Sequence, residues 1–357
     1  METLLFLYVM RKWIYILLCL IHSSAMAQEF TEGSKEGQEL YQTAKLFVQR
    51  GDLSNAVMVF NQAVQTDPEN LLYRREMAYT YYLLQDLQRA EHIIAPLLKR
   101  EDADEETFQV ACKIFAAKKK MEEAENAIDK GIKRFPKAGI LYCEKGELFT
   151  LQKKYKSAAK TWEEGVQMAP GYHMNYYNLT KVYSFTKRYL WAILYGETFV
   201  NLESFSSRTQ EIKKIIFESY KFMMAELNNV ALDGKMNRYD DPKNFEMACL
   251  KIYDGLRNVV TGGIHTDNLI MLRTRFLIEW NKLYAAKYPS ELIDYQQRMI
   301  LQGHYDCYNQ WLFGKLDNDT GFKNWTQKFS TAMNSFDAYL RNNKLKPREN
   351  QYYQSKS

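Results

Sequence analysis

Residues 139–170 read GILYCEKGELFTLQKKYKSAAKTWEEGVQMAP. Within them Tyr142, Gly146, Phe149, Ala158, Trp162, Gly165 and Pro170 set out a two-helix pattern. Large apolar residues recur at helical spacing, and small residues stand where two helices must approach closely. Pro170 has no N–H to extend a helix, so it marks a stop. The stretch is one helix–turn–helix unit.

A shift of about 34 residues in either direction finds the same residue types again. One copy runs Leu40, Ala44, Phe47, Ala56, Phe60, Ala63, Pro68, and the next has Ala78, Tyr81, Ala90, Ile94 and Leu97. A third has Phe108, Cys112, Phe115, Ala124, Ile128, Gly131 and Pro136. A weaker fifth, after the opening stretch, has Tyr176, Thr180, Tyr183, Ala192, Gly196 and Phe199. Ala56, Ala90, Ala124 and Ala158 admit close helix contact, and Phe60, Ile94, Ile128 and Trp162 one turn later fill the space between units. The second copy departs at Arg74 and at Asp102, which replaces the closing proline, and the fifth ends on Ser204. The pattern resembles the tetratricopeptide repeat family over about residues 37–204. The resemblance implies an all-α solenoid of about five units in a right-handed superhelix, whose first helices line a concave, protein-binding surface.

The flanks are read separately. Phe205–Asn229 has helical apolar spacing without the small-residue signature, as expected of a helix covering the open end of the stack. Residues 28–229 are thus expected to form the repeat array with its capping helix. Polar residues from Ala231 to Lys243, including Asp240, Asp241 and Pro242, indicate a linker. Residues 230–343 are expected to form a helical C-terminal domain, with helices at about Asn244–Asn258, Asp267–Lys287, Ser290–Leu301, Tyr305–Leu316 and Phe322–Asn342. The last carries Phe322, Trp325, Phe329, Phe336 and Leu340 as one stripe. Residues 344–357 offer little to bury and are expected to be a flexible tail.

Arg11-Lys12, the apolar run Trp13–Ile21 and the pair Ala25 and Ala27 form a signal-peptide pattern over residues 1–27. Arg11-Lys12 divide the apolar residues, so no run reaches the ~20 residues of a membrane span. Met10 is an alternative start, and Cys19, inside the apolar run behind Leu18, lacks the small neighbours of a lipidation site. The expected destination follows secretion across the inner membrane: periplasmic or outer-membrane-associated. Cys112, Cys143, Cys249 and Cys307 have no short metal-type spacing. Cys112 occupies a small-residue slot, and spacing leaves open whether Cys249 and Cys307 pair.

The 357 residues are 46% hydrophobic and 25% charged, the proportions of a globular chain. With 48 basic and 43 acidic residues the charges are interspersed, and no block marks a nucleic-acid surface. Seven prolines and sixteen glycines are few, while 26 tyrosines and 19 phenylalanines favour helices packed through aromatic rings.

No nucleophile elbow, zinc-binding helix pair or phosphate loop occurs, so no catalytic residue, metal site or cofactor is assigned. His265 follows Gly262-Gly263, and His304 lies near Asp306 and Cys307; they mark where an unrecognised active site in the C-terminal domain would lie. Trp162 and Trp325 read as core, whereas Trp191, Trp280 and Trp311 are candidate platforms for a glycan, a second alternative. The leading expectation is a non-enzymatic scaffold or adaptor in the cell envelope, binding a protein or peptide. On the register implied by the resemblance, its face carries Tyr41, Lys45, Arg75, Tyr79, Tyr82, Gln109, Lys113, Glu147, Tyr177, Asn178 and Lys181. Aromatic and basic groups alternate there, a mix suited to an extended peptide or an acidic segment.

Overall fold

The apolar-periodic stretches are helical, because each has one face to bury and few internal glycines or prolines to interrupt its ladder. The computed structural model describes residues 33–232 and 242–353, and no strand occurs among them. The expected signal segment and most of the expected linker lie outside the described residues. The chain divides into two compact units, ending and beginning at Ala103 and Asp104, where the second repeat has lost its closing proline.

The first unit holds two helix pairs: α1 (Lys35–Gln49) with α2 (Leu53–Thr66), and α3 (Leu71–Leu83) with α4 (Leu87–Leu97). Asp52, Asn70 and Asp86 begin α2, α3 and α4 by accepting a hydrogen bond from the backbone N–H three residues on, at 3.1–3.3 Å. Ala56 and Ala90 are completely buried where the paired helices meet, and Phe60 and Ile94 fill the layer beside them.

The second unit opens with three further pairs: α5 (Glu105–Ala117) and α6 (Met121–Arg134), α7 (Gly139–Leu151) and α8 (Tyr155–Met168), α9 (His173–Phe185) and α10 (Tyr189–Leu202). The first helices α5, α7 and α9 pack side by side. A Cβ on Gly146 would meet Trp162 Nε1 at 2.1 Å, so the tryptophan seats only against a bare backbone, donating to the Cys143 carbonyl at 3.1 Å. The turn between paired helices uses one left-handed residue. It is Gly51 in the first copy (φ 77°), but Gln85, Lys119, Lys153 and Lys187 in the next four (φ 60–61°).

Helix α11 (Ser207–Leu232) covers α9 and α10, as the apolar spacing predicts. Beyond it come α12 (Phe245–Gly255), α13 (Thr266–Leu283), α14 (Glu291–Leu301), α15 (Tyr305–Asn309, continuing through a π-helical turn Gln310–Gly314 into Lys315–Asp317), α16 (Asp319–Lys328) and α17 (Ser330–Asn342). One cluster of buried apolar residues includes members from Ala158 to Leu345, drawn from the last repeats, α11 and the later helices.

A buried polar cluster joins these helices to the repeats. Glu197 of α10 meets Arg273 of α13 at 2.5 Å and accepts from Gln296 and Tyr308 at 2.7 and 3.1 Å. Lys213 of α11 is 3% exposed; its Nζ donates to the Trp311 carbonyl at 2.8 Å and lies 3.4 Å from the centre of the Trp311 ring. That carbonyl lies within the π-helical turn.

Two expectations require correction. The stripe Phe322–Leu340 is divided at Phe329 between α16 and α17, because α16 packs on the π-helical turn and α17 on α15. Phe336 and Leu340 are buried, while Phe329 is exposed. Residues 344–353 are not a frayed tail: Leu345 is buried, Tyr353 stacks on Phe245 at 4.6 Å, and the Tyr352 hydroxyl donates to Glu163 of α8. These anchors hold a segment with little local apolar character.

Candidate partner-binding face

The face expected to bind is built from the first helix of each pair, and its side chains engage their counterparts on the next pair. In the first unit Tyr41 stacks on Tyr73 at 5.5 Å, and Lys45 meets Glu76 at 2.9 Å. Arg75 is buried with its guanidinium 3.6 Å from Glu76. Tyr79 and Tyr82 stack on each other at 5.7 Å and are half-buried.

In the second unit the face runs over α5, α7, α9 and α11. Lys113 lies 2.5 Å from Glu144 and 4.0 Å from Glu147. Gln109 donates to Glu144 at 3.1 Å, and Asn178 to the Cys143 sulfur at 3.6 Å. Burial pushes the Glu144 carboxyl above its ordinary pKa despite Lys113 beside it. Tyr177 donates to Glu211 at 2.6 Å; Lys181 reaches the same carboxylate at 3.1 Å and covers the Tyr177 ring at 4.8 Å. Hydrogen bonds from Tyr177 and Lys181 hold the Glu211 pKa down.

The residues singled out by sequence are thus gathered on first-helix faces, and three of their lysines are ion-paired within the chain. Lys45, Lys113 and Lys181 each have a carboxylate from the following first helix, about 31 residues on. Glu76, Glu144 and Glu211 were missed as components, although that Lys-to-Glu spacing recurs in the sequence. The acidic groups presented are Glu147 and Glu211, each with nearly half its side chain accessible. A ligand on this face would meet these carboxylates beside lysines that are already ion-paired within the chain. Tyr177, Lys181 and Glu211 meet one another, and Tyr177 also packs on Phe199, so this cluster is held by α9, α10 and α11.

The alternative sites fare differently. Trp191 and Trp280 are buried and Trp311 covers Lys213, so they form no exposed glycan platform. His265 begins α13 and pairs with Asp317 at 3.2 Å; His304 begins α15 beside the Tyr339 ring. Among the described residues no group of three or more His, Cys, Asp or Glu side chains is arranged to hold a metal ion. Cys112, Cys143, Cys249 and Cys307 are free and buried. No described helix is long and apolar enough to cross a membrane.

Residues 47–112 match the family model described as tetratricopeptide repeat. No curated protein matches the sequence. Similar solved structures include a tetratricopeptide repeat protein from Parabacteroides merdae, 14% identical, covering 73% of this chain and 97% of that one with a TM-score of 0.38. YrrB, described as a tetratricopeptide repeat protein with an unusual peptide-binding site, is 14% identical over 53% of this chain and 99% of its own, with a TM-score of 0.33. The corresponding domain of P58(IPK) is 11% identical over 84% and 98%, with a TM-score of 0.28.

Proposed function

We propose that this chain, a tetratricopeptide repeat protein, is a non-enzymatic scaffold of the cell envelope that takes a protein or peptide partner on the first-helix face of its second unit. The observation that carries the reading is the arrangement around Glu211. Its carboxylate is held by Tyr177 and Lys181 at 2.6 and 3.1 Å yet remains accessible, and Glu147 is accessible two first helices away. Side chains already held in place lose little freedom on binding, which favours recognition of an extended ligand. The accessible carboxylates favour a segment with Lys or Arg, which can form charge-assisted hydrogen bonds to them. The signal-peptide pattern of residues 1–27 supports the envelope location.

The test compares capture from an envelope extract by the wild-type chain and by Glu147→Lys/Glu211→Lys. A partner retained by the first and lost by the second supports the assignment. Equal capture by both removes the face from the account.

A further inference from the structure

A second group of exposed side chains lies at the turns joining first to second helices in the second unit, one helical turn beyond Glu147 and Lys181. The turn after α7 reads Leu151-Gln-Lys-Lys-Tyr-Lys156, and the turn after α9 reads Phe185-Thr-Lys-Arg-Tyr189. Leu151 and Phe185 end neighbouring first helices and point into solvent, 67% and 89% exposed; Tyr155 is 61% exposed. Lys153, Lys154, Lys156 and Lys187 beside them are exposed, and no acidic residue occurs in either turn. Tyr189 stacks on the exposed Phe222 of α11 at 5.3 Å, extending the apolar row onto the next helix. The preceding turn, Ala117 to Lys120, carries three consecutive lysines, although Glu122 and Glu123 follow it at the start of α6.

The backbone singles out the same positions. Lys119, Lys153 and Lys187 occupy the left-handed conformation that Gly51 takes in the first copy. A Cβ is disfavoured there, and glycine or asparagine is the usual occupant. Three successive lysines at that point put a cation at the tip of each turn despite the conformational cost.

We propose that this edge of the second unit docks on an anionic lipid surface, with Leu151, Tyr155 and Phe185 entering the headgroup region and the turn lysines meeting lipid phosphates. Charge complementarity selects an anionic surface, and the exposed Phe185 and Leu151 select a bilayer over a nucleic acid. Apolar side chains gain by entering the interface, whereas a phosphate backbone offers them nothing comparable. Side-by-side packing of α7 and α9 brings both turns to one edge, so both sets of residues can engage together.

The proposal is tested by flotation of the full chain with vesicles of phosphatidylcholine alone or containing a third phosphatidylglycerol. A fluorophore on Tyr155→Cys, in a Cys19→Ser background, reports the edge directly, since the other four cysteines are buried. The expected result is a blue shift of that fluorophore with anionic vesicles, weakened by salt and absent with neutral ones. Phe185→Ser should weaken the fluorophore-detected binding about tenfold, and Lys153→Gln and Lys187→Gln about fivefold each. All four side chains are exposed, so unchanged melting curves should accompany these losses. No shift with anionic vesicles overturns the proposal. So does a shift indifferent to the Phe185 and lysine changes, which would assign the binding to the apolar run Trp13–Ile21. Duplex DNA binding that matches vesicle binding and ignores Phe185→Ser also overturns it.

Discussion

Replacing Arg273 by methionine tests how the C-terminal helices are tied to the repeats. Both Arg273 and Glu197 have side chains 2% exposed. The guanidinium donates to Glu197 and to Asn309, each at 2.5 Å, and lies 5.2–5.8 Å from the rings of Tyr220, Tyr305, Tyr308 and Phe313. Methionine fills much of the volume but removes the charge. Glu197 retains Gln296, Tyr308 and Tyr220 as neutral donors, but its carboxylate is left buried without a counter-ion. Breaking such a pair costs about 3–5 kcal/mol.

Urea unfolding followed by far-ultraviolet circular dichroism and tryptophan fluorescence should show that loss at pH 7. With roughly 2–4 °C per kcal/mol for a unit of this size, the melting temperature should fall by about 10 °C. Burial already raises the Glu197 pKa, and loss of Arg273 raises it further. The penalty should therefore shrink as pH falls and the variant's carboxyl is protonated. Glu197→Gln/Arg273→Met should recover most of the stability, giving a coupling of about 2 kcal/mol or more. An Arg273→Met loss below about 1 kcal/mol, the same at pH 5 and pH 7, would refute the buried-pair reasoning.

Other expectations follow from single side chains. Burial lowers the Lys213 pKa to about 6, so folding excludes its proton between pH 6 and the ordinary lysine value, and stability rises with pH across that window. Lys213→Met should remove this rise, which amounts to at most about 4 kcal/mol between pH 7 and pH 10, as denaturant melts at both pH values would show. Gly146→Ala should destabilise by about 2 kcal/mol in thermal unfolding, because displacement of Trp162 outweighs the gain in helix propensity. Tyr352→Phe should cost about 1–2 kcal/mol and speed proteolysis after residue 343, since it removes a donor to the buried Glu163. Burial also raises the Glu163 pKa, so its stabilising share is full below the unfolded carboxylate value and is lost as pH rises through the folded one. Glu163→Gln should flatten that fall in a pH series of melts.

The helix pairs were legible because their determinants are local and periodic. Ala158 and Trp162 stand where one helix meets another, and Pro68, Pro136 and Pro170 mark the exits. The break at Phe329 was hidden because Trp325 and Phe336 share a helical period while their helices follow different neighbours. The anchoring of Tyr352 was hidden too, since the residue that decides it, Glu163, is 189 positions away. On the candidate face the lysines were found but their neutralisation was not. A rule that examines one repeat at a time does not pair Lys113 with Glu144, or Lys181 with Glu211. The turn lysines carry no local sequence signal of their own; what sets them apart is their left-handed backbone together with the neighbouring exposed Phe185.

The central claim is that the first-helix face of the second unit binds a cationic, extended segment. Its most direct measurement is binding of the chain to an array of extended peptides graded from acidic to basic, with the strongest ligand titrated by calorimetry against wild type and Glu147→Lys/Glu211→Lys. The account predicts preference for Lys- or Arg-containing peptides and a loss of about tenfold or more in the variant, with an unchanged melting temperature. Preference for acidic peptides, or equal affinity of the two chains for the same basic peptide, would contradict it.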